Sequence, residues 1–314
     1  MRYWWVNHKQ TSKQELAGGY LWSPVREASG ARSQFYDNMR VAAPGDAVLS
    51  FSGGVIQHVG RVADFASPAP KPDSFGAVGE YWSKSGWLLP VAWQELLAAI
   101  NPKAMIAELA PLLPAKYSPI HPQSGNGNQK AYLAEISAAL FERLAGRVLE
   151  EAPAPVLQAD TFKALASIDE SIEAQVMQDP GLDSTTKRQV VLARNGQGLF
   201  RARVFELEQS CRLTQIRTPA LLIASHIMPW RSCGTAAERL DGANGLLLAP
   251  HVDRLFDKGF ISFTDAGQVL ISPKLDANDL VRLGLQDACD RGCNAFSDRQ
   301  APYLKFHREI VFLE

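Results

Sequence analysis

The stretch LLIASHIMPW, residues 221–230, runs from an apolar segment into a histidine and ends on a tryptophan. The apolar run predicts a buried strand, and His226 falls where that strand should end. A single histidine at a strand end is more often a structural residue than a catalytic base. The residues that follow along the chain therefore decide how this stretch is interpreted.

A second block, NGLLLAPHVDRLFD, follows at residues 244–257. It begins with an asparagine, continues as a short apolar strand, and reaches Pro250, which suits the first turn of a helix. A strand that ends on histidine, a loop that carries asparagine, and a helix with metal-capable side chains are the parts of a ββα-metal nuclease. In that chemistry a neutral imidazole takes a proton from the attacking water, and a metal ion stabilises the charge on the phosphate.

Four blocks of this half stand in the order of one protein family. They are RNGQGLFR at 194–201, CRLT at 211–214, ASHIMPW at 224–230, and the segment 244–263 that ends in ISF. Together they resemble the HNH endonucleases, and the resemblance covers residues 187–264. It implies a ββα-metal nuclease domain that hydrolyses phosphodiester bonds.

The resemblance implies that His226, Asn244 and His251 are the catalytic residues, with His226 as the general base. Asn244 would hold the loop against the strand, although its sequence context also favours a tight turn. Asp253 is the first candidate metal ligand, because it stands nine residues after Asn244, where many members of the family have His or Asn, and His251 is the second candidate. Residues two apart on a helix point away from each other, so both can serve one metal only if the helix starts between them. Ser225 departs from the family, in which many members have an aspartate ligand at this position.

The ligand types lead us to expect a divalent metal. Oxygen ligands favour Mg²⁺ or Mn²⁺, and an imidazole ligand extends the choice to Co²⁺ or Ni²⁺. Arg194, Gln197 and Arg201 are either a solvated helix face or contacts to the DNA backbone. Lys116, in a polar loop of the first half, is a further candidate for a DNA backbone contact.

The first half is rich in strand-like blocks and aromatic residues. The blocks are YWWVN (3–7), GGYLWSP (18–24), PGDAVLSF (44–51), IQHVGRV (56–62) and GWLLPVAW (86–93). They resemble the EVE domain of the PUA-like superfamily, which includes the YTH readers. The resemblance implies a small β-barrel with helices, which holds a modified base in an aromatic pocket.

An everted base needs aromatic faces to stack on and a few polar groups to read its edge. The residues predicted to form such a pocket are Asn7, Trp22, Ser50, Phe51, Ser52 and Tyr117. For most aromatic residues of this half, Phe51 among them, a core position is the more common role. Trp22 is the exception, because two glycines precede it and Ser-Pro follows it, which favours the lip of a pocket.

The sequence predicts an α+β protein with two domains joined by a connector. The expected divisions are a reader at 1–148, an acidic and largely helical linker at 149–185, and the HNH nuclease at 186–314. Helical spacing also predicts helices over residues 91–114 and 128–151. The net charge of −1 argues against an indiscriminate polyanion binder, although the acidic linker separates two mildly basic ends.

The four cysteines are too scattered for a disulfide framework, and no CxxC motif is present. The N-terminus has no signal-peptide pattern, and no apolar run is long enough to span a membrane. We therefore expect a cytoplasmic protein with reduced thiols and no membrane partner.

The two halves together predict a modification-dependent DNA endonuclease. By resemblance to the EVE–HNH restriction architecture, the partner is double-stranded DNA that carries 5-methylcytosine or 5-hydroxymethylcytosine. A double-strand break needs two active sites or one that acts twice, so we expect a homodimer. The alternative is a binding module for modified nucleic acid with a decayed HNH fold, and Ser225 is the residue that favours it.

Overall fold

A computed structural model describes residues 1–83, 85–151 and 163–314. The chain forms two compact units, residues 1–168 and 169–314. The first is a sheet with helices, and the second is helical with two short strand pairs. The predicted α+β class is therefore confirmed. Within the described residues, no helix is both long and apolar enough to cross a membrane.

The first unit is built on a seven-stranded sheet of order β2-β6-β4-β3-β1-β7, in which β5 also pairs with β6. Its strands β1 to β7 are Tyr3–Asn7, Tyr20–Pro24, Ala47–Ser52, Val55–Val62, Ser67–Pro70, Ser85–Ile100 and Leu133–Ile136. Its helices α1 to α4 are Ser12–Gly18, Gln34–Val41, Ile106–Leu109 and Ala138–Glu151. Strands β1 and β3 run parallel, and the other pairs run antiparallel.

The core of this unit lies between the sheet and α4. Trp5 and Leu49 project from neighbouring strands, and Leu140 and Phe141 of α4 pack into the same buried cluster. Trp4 points to the other face of β1 and is also fully buried. Both faces of β1 are therefore covered, and these tryptophans are core residues.

Two predicted helices of the first unit are wrong in part. The segment predicted as a helix over 91–114 continues β6 as far as Ile100, because its backbone pairs with β4 up to the Ile56–Ile100 position. Within the segment 128–151, residues 133–136 form β7, which pairs with β1, and the helix begins only at Ala138. In both places, hydrogen bonds to a neighbouring strand override the local helical spacing.

The second unit carries the ββα motif. Strands β8 (Ile223–His226) and β9 (Gly245–Leu248) pair antiparallel, with His226 opposite Gly245, and α9 (Pro250–Asp257) follows. The helices before β8 are α5 (Lys163–Gln178), α6 (Ser184–Ala193) and α7 (Gly198–Leu207), and α8 (Ala236–Leu240) lies between the strands. The predicted strand–loop–strand–helix order is confirmed.

The chain after α9 packs back on the motif. It forms β10 (Ile261–Phe263), β11 (Val269–Ile271), α10 (Ala277–Arg282), α11 (Gln286–Arg291), α12 (Ala301–Phe306) and a π-helical turn at His307–Val311. His307 is buried, stacks on Phe256 at 3.8 Å, and bonds Ser262 and the Phe256 carbonyl through its two ring nitrogens. Both nitrogens are engaged within the fold, so His307 is structural.

The predicted linker, residues 149–185, is described only in part by the structure. Residues 152–162 of that linker lie outside the described residues. The part of α5 from Asp169 to Gln178 belongs to the second compact unit. Asp169 and Glu173 of α5 bind arginines of that unit, as described below.

Candidate nuclease site and base cleft

His226 stands at the end of β8 with its ring held on one face and at one nitrogen. The ring stacks on Phe200 of α7, with centroids 3.7 Å apart and planes 4° from parallel. Nε2 lies 3.1 Å from the carbonyl oxygen of Arg239. Because a carbonyl oxygen only accepts, the proton belongs on Nε2, and the lone pair is on Nδ1.

The surroundings of His226 keep its imidazole neutral. Burial lowers the pKa of His226 to about 4, the bond to the Arg239 carbonyl opposes this, and the Arg239 charge adds to the lowering. The side chain is half-buried rather than enclosed. A neutral histidine with a free lone pair at Nδ1 can accept a proton at ordinary pH.

Glycines of the family blocks allow this close packing. A Cβ at Gly245, opposite His226 in the sheet, would lie 2.3 Å from Val204 and 3.0 Å from Phe200 of α7. Gly196 has a φ of +63°, and a Cβ there would lie 2.4 Å from the Ala224 carbonyl oxygen of β8. The RNGQG loop can therefore lie directly against the strand that carries His226.

Asn244 is fully buried and ties the β8–β9 loop together. Its Oδ1 accepts from the Met228 backbone N–H at 2.8 Å. Its Nδ2 donates to the carbonyls of Met228 and Glu238, both at 3.2 Å, and approaches the Cys233 sulfur at 3.4 Å. The amide is engaged at both ends. The structure therefore corrects the assignment of Asn244 as a catalytic residue: it is a positioning residue.

Arg239 holds the same loop from its other side. The guanidinium donates to the Trp230 carbonyl at 3.2 Å and the Cys233 carbonyl at 2.5 Å, and it lies over the Trp230 ring at 5.0 Å. The Trp230 indole donates in turn to the Val190 carbonyl of α6. The side chain of Arg239 thus ties the turn at residues 230–233 to α8, the helix whose Arg239 carbonyl faces His226.

The acidic candidate of α9 contacts the strand that ends on His226. The Ser225 hydroxyl donates a hydrogen bond to the Asp253 carboxylate. Burial raises the pKa of Asp253, the nearby Asp257 charge adds to the rise, and the Ser225 bond opposes it. Burial and the second carboxylate both disfavour the charged form of Asp253. A hard divalent cation would stabilise that charged form, so Asp253 suits such a cation as an oxygen ligand.

The other ligand candidate, His251, is half-buried on the first turn of α9. In the described part of the chain, no three His, Cys, Asp or Glu side chains are grouped closely enough to hold a metal. The assignments of Asp253 and His251 as metal ligands therefore stay predictions.

The predicted DNA contacts of the second unit have different environments. Arg201 donates to the carbonyls of Leu222 and Pro219, at 3.0 and 2.8 Å, and is thereby committed to the loop before β8. Arg194 pairs with Glu173 of α5 at 2.5 Å. Gln197, which precedes α7, is exposed. The structure corrects the interpretation of Arg201: its guanidinium has a structural partner on the backbone.

Helix α5 contacts the segments around β8 through Asp169. The Asp169 carboxylate takes two bonds from Arg231, at 2.5 and 2.8 Å, and lies 3.8 Å from Arg194. Arg231 stands five residues after His226, and Arg194 opens the RNGQG loop. The acidic side chain therefore joins two segments that flank β8.

The first unit contains a cleft of about 1010 Å³. Of the six residues predicted for a base pocket, Asn7, Phe51 and Ser52 line it. The cleft also has aromatic residues that the sequence did not single out, namely Tyr36, Tyr81, Trp82 and Tyr132. These residues are far apart in the sequence, so no sequence pattern indicated that they would line the same cleft.

The structure corrects the position of Trp22. Its side chain is 1% exposed and packs among core residues, with Phe75 edge-on at 5.9 Å. A Cβ at Gly86 of the neighbouring strand would lie 2.3 Å from the Trp22 ring. The glycine before β2, Gly19, is the left-handed cap of α1 and not the entrance to a pocket. Trp82, which stacks on Trp22 at 6.2 Å, is the tryptophan that reaches the cleft.

Three further predicted residues lie away from the cleft lining. Ser50 is buried beneath it, where its hydroxyl lies 2.8 Å from His8 Nε2. Lys116 and Tyr117 line a separate hollow beside Ser137, and Tyr117 contacts the Phe35 ring edge-on at 5.8 Å. The pocket assignments of Ser50 and Tyr117 are therefore corrected.

A buried carboxylate organises the floor of the cleft. Glu15 is fully buried and accepts from the Tyr132 hydroxyl at 2.5 Å, the His8 Nδ1 at 2.7 Å, the Trp22 N–H at 2.9 Å and the Thr11 hydroxyl at 3.0 Å. Burial, with the Glu15 charge, raises the pKa of Tyr132 well above its ordinary value. The phenol therefore stays protonated as a fixed donor.

Comparisons with known proteins agree with the C-terminal identification. Residues 211–264 match the model of the family described as HNH endonuclease, which confirms the HNH resemblance of this segment. No curated protein sequence matches the chain.

Solved structures similar to the first half were also found. The N-terminal domain of Staphylothermus marinus McrB shares 10% identity, with 46% of this chain and 93% of that one covered and a TM-score of 0.30. Human THYN1 in complex with 5-methylcytosine containing DNA shares 12% identity, with 49% and 100% covered and a TM-score of 0.29. The YTH domain of Zygosaccharomyces rouxii MRB1 in complex with N6-methyladenosine RNA shares 12%, with 49% and 90% covered and a TM-score of 0.30.

Proposed function

We propose that this protein is a modification-dependent DNA endonuclease that acts on DNA carrying 5-methylcytosine or 5-hydroxymethylcytosine. The observation that carries the proposal is the geometry of His226, a neutral imidazole whose Nε2 is engaged by the Arg239 carbonyl and whose Nδ1 keeps its lone pair. The residues lie within a segment that matches the HNH endonuclease family.

In the proposed reaction, Nδ1 of His226 accepts a proton from the water that attacks the scissile phosphate. The Arg239 carbonyl stabilises the imidazolium that forms, since its oxygen faces the N–H of Nε2. The Phe200 ring prevents rotation of the imidazole by stacking on its face. Asn244 and the Arg239 side chain keep the loop in place during this step.

We assign Asp253 as the residue that would hold a divalent metal, with Mg²⁺ or Mn²⁺ preferred, Co²⁺ or Ni²⁺ as alternatives, and His251 as a second candidate ligand. Such an ion would act as a Lewis acid on a phosphate oxygen and stabilise the leaving oxygen. Ser225 orients the Asp253 carboxylate through its hydroxyl.

The cleft of the first unit is the proposed reader of the modified base. Trp82 and Tyr36 offer aromatic faces, and side-chain amides and the Tyr132 region supply polar groups along the same lining. An extruded base needs this combination of stacking surface and hydrogen-bond partners. Since a double-strand break requires two cuts, we also propose that the protein acts as a homodimer on DNA.

The test is cleavage of two matched DNA molecules, one with cytosine replaced by 5-hydroxymethylcytosine and one unmodified, in the presence of Mg²⁺, Mn²⁺, Co²⁺ or Ni²⁺. We expect cleavage of the modified DNA alone. His226→Ala should abolish cleavage and leave DNA binding intact, whereas His121→Ala, at an exposed histidine of the first unit, should change neither. Failure of all four metals to support cleavage would remove the enzyme proposal, and equal cleavage of both DNAs would remove the reader.

The second candidate function is a non-catalytic module that binds modified nucleic acid. Ser225 supports it, because a hydroxyl stands where many HNH enzymes have a carboxylate ligand, and the hydroxyl is directed at Asp253. Calorimetric titration with Mn²⁺ separates the two functions. Metal binding that Asp253→Asn removes favours the nuclease, whereas no metal binding together with selective binding of modified DNA favours the module.

A further inference from the structure

The cleft of the first unit is large for a pocket that takes one base. Its volume of about 1010 Å³ lies at the upper end of the range of roughly 300–1,000 Å³ for small-molecule pockets. Its lining extends from the end of β1 to the hairpin tip at Gly53 and Gly54 and to the loop 125–132. The cleft therefore has room for more of a ligand than its base.

The charges along the lining have one dominant sign. Lys9, Lys103 and Lys130 are exposed at the cleft, and Glu27 is the one acidic residue among the lining residues that the structure describes. Uncharged amides make up much of the remaining polar lining: Gln10, Asn101, Asn126, Asn128 and Gln129. In a chain of net charge −1, this local excess of lysine indicates an anionic partner.

The backbone at these lysines is held firmly. A Cβ at Gly125, where φ is +67°, would lie 2.8 Å from the Lys103 Cα, so the loop is packed closely against Lys103. The Lys103 Nζ lies 3.5 Å from Asn126 Oδ1. Lys9 follows the buried His8. The Asn7 amide donates to the Pro119 carbonyl at 2.7 Å and to the Asn128 carbonyl, two residues before Lys130, at 3.4 Å.

We propose that the cleft binds a DNA strand and not merely a base, with the ammonium groups of Lys9, Lys103 and Lys130 on the phosphates that flank the held nucleotide. This inference rests on the proposed reader function and adds the strand contacts to it. The amides along the lining supply donors and acceptors for sugar and base edges. Anchored lysine backbones with exposed ammonium groups allow each charge to meet a phosphate without reordering the cleft wall.

The experiment measures equilibrium binding of fluorescent single- and double-stranded oligonucleotides containing 5-hydroxymethylcytosine to the full chain over a series of NaCl concentrations. The plot of log affinity against log salt has a negative slope, and we expect each single lysine variant to make it shallower. The expected change is about 0.7 on single strands and about 0.9 on duplex for each of Lys9→Ala, Lys103→Ala and Lys130→Ala. The matched control is Lys13→Ala, at an exposed lysine outside the cleft lining, which should leave the slope unchanged. The free nucleoside should bind at least about a hundredfold more weakly than the oligonucleotide, because it lacks the flanking phosphates.

An unchanged slope in all three cleft variants, or a nucleoside that binds as tightly as the oligonucleotide, overturns the inference. Melting curves of the variants show whether the fold is kept, and we expect no change because the three side chains are exposed. If the slope depends on the cleft lysines but modified and plain DNA bind equally, the strand inference stands and the reader function fails. The two failures are thus distinguishable.

Discussion

Nε2 of His226 lies 3.1 Å from the carbonyl oxygen of Arg239, and this contact determines which nitrogen of the imidazole carries the proton. The remaining nitrogen, Nδ1, is the one able to accept a proton in the neutral ring. Four expectations about stability, pH and binding follow from this contact and from others in the two units.

The first concerns the titration of His226. Its folded pKa of about 4 lies below the ordinary value of 6.5, because burial disfavours the charged ring. Above pH 6.5 the ring is neutral in both states, so it contributes no pH dependence. As pH falls from 6.5 towards 4, the unfolded state binds the proton and the folded state does not, so stability decreases.

The measurement is an NMR titration of the imidazole signals, with the His226 resonance assigned by its absence in His226→Ala. We expect that resonance to remain that of a neutral ring down to about pH 5. A midpoint near 6.5 contradicts the buried, Arg239-bonded state. Phe200→Leu, which removes the stacked ring, should move the midpoint upwards by admitting water to the imidazole.

The second expectation concerns Asn244. Asn244→Ala leaves the buried Met228 N–H and two carbonyls without their partner, so the free energy of unfolding should fall by about 1–3 kcal/mol. Chemical denaturation of the full chain measures the loss. Asn278→Ala, at an exposed residue of α10, is the control and should change stability little. Equal stability of the two variants would show that the loop does not depend on the amide.

The third expectation separates two stacked tryptophans. Trp22→Ala removes a side chain that is 1% exposed, so the first unit should lose about 3–5 kcal/mol of stability. Trp82→Ala removes an aromatic face of the cleft, and should weaken binding of modified DNA by about 1–3 kcal/mol, the scale of one base–aromatic stack.

Thermal melting and equilibrium DNA binding are the two measurements for this pair. The reverse pattern is a Trp22→Ala variant that stays stable but no longer discriminates modified DNA. That result would show that Trp22, and not Trp82, stacks on the base. Tyr117→Ala, outside the cleft lining, serves as the aromatic control and should leave DNA binding unchanged.

The fourth expectation concerns the pair of Asp169 and Arg231. Asp169→Asn removes the charge that receives two guanidinium bonds, so the second unit should lose about 1.5–3 kcal/mol of stability. Cleavage should fall as well, because Arg231 stands five residues after His226. Glu170→Gln, the exposed neighbour on α5, is the matched control. Identical melting and cleavage in both variants would remove the role assigned to α5.

The sequence predicted the parts of the site that lie within short motifs. His226 and Asn244 follow from the order of strand, loop and helix, and the structure has that order. Phe200 and Arg239 could not be identified in the same way, because each reaches His226 through packing between elements. In the sequence, Phe200 looks like any core aromatic residue, and Arg239 looks like any arginine near a helix end. No residue pattern marks the ring that stacks on His226 or the carbonyl that binds it.

The errors in the first unit have a similar origin. Trp22 follows two glycines, which suggested a pocket lip, but the second of them ends α1 in a left-handed conformation and the strand begins at once. The helical spacing after residue 91 was real, yet pairing with β4 made the segment a strand. A local sequence pattern does not show which strand will lie beside a segment. The neighbouring strand determined both the burial of Trp22 and the strand conformation after residue 91.

The attachment of Asp169 and Glu173 to Arg231 and Arg194 sets a condition for protein engineering. A fusion that joined another DNA-binding domain at residue 186, where the motifs begin, would discard both acidic residues and leave two arginines beside the active strand without counter-charges. A fusion that begins at or before Asp169, the first residue of the second compact unit, would keep both acidic residues. The part of α5 from Asp169 onwards thus forms one structural unit with the strand that carries His226.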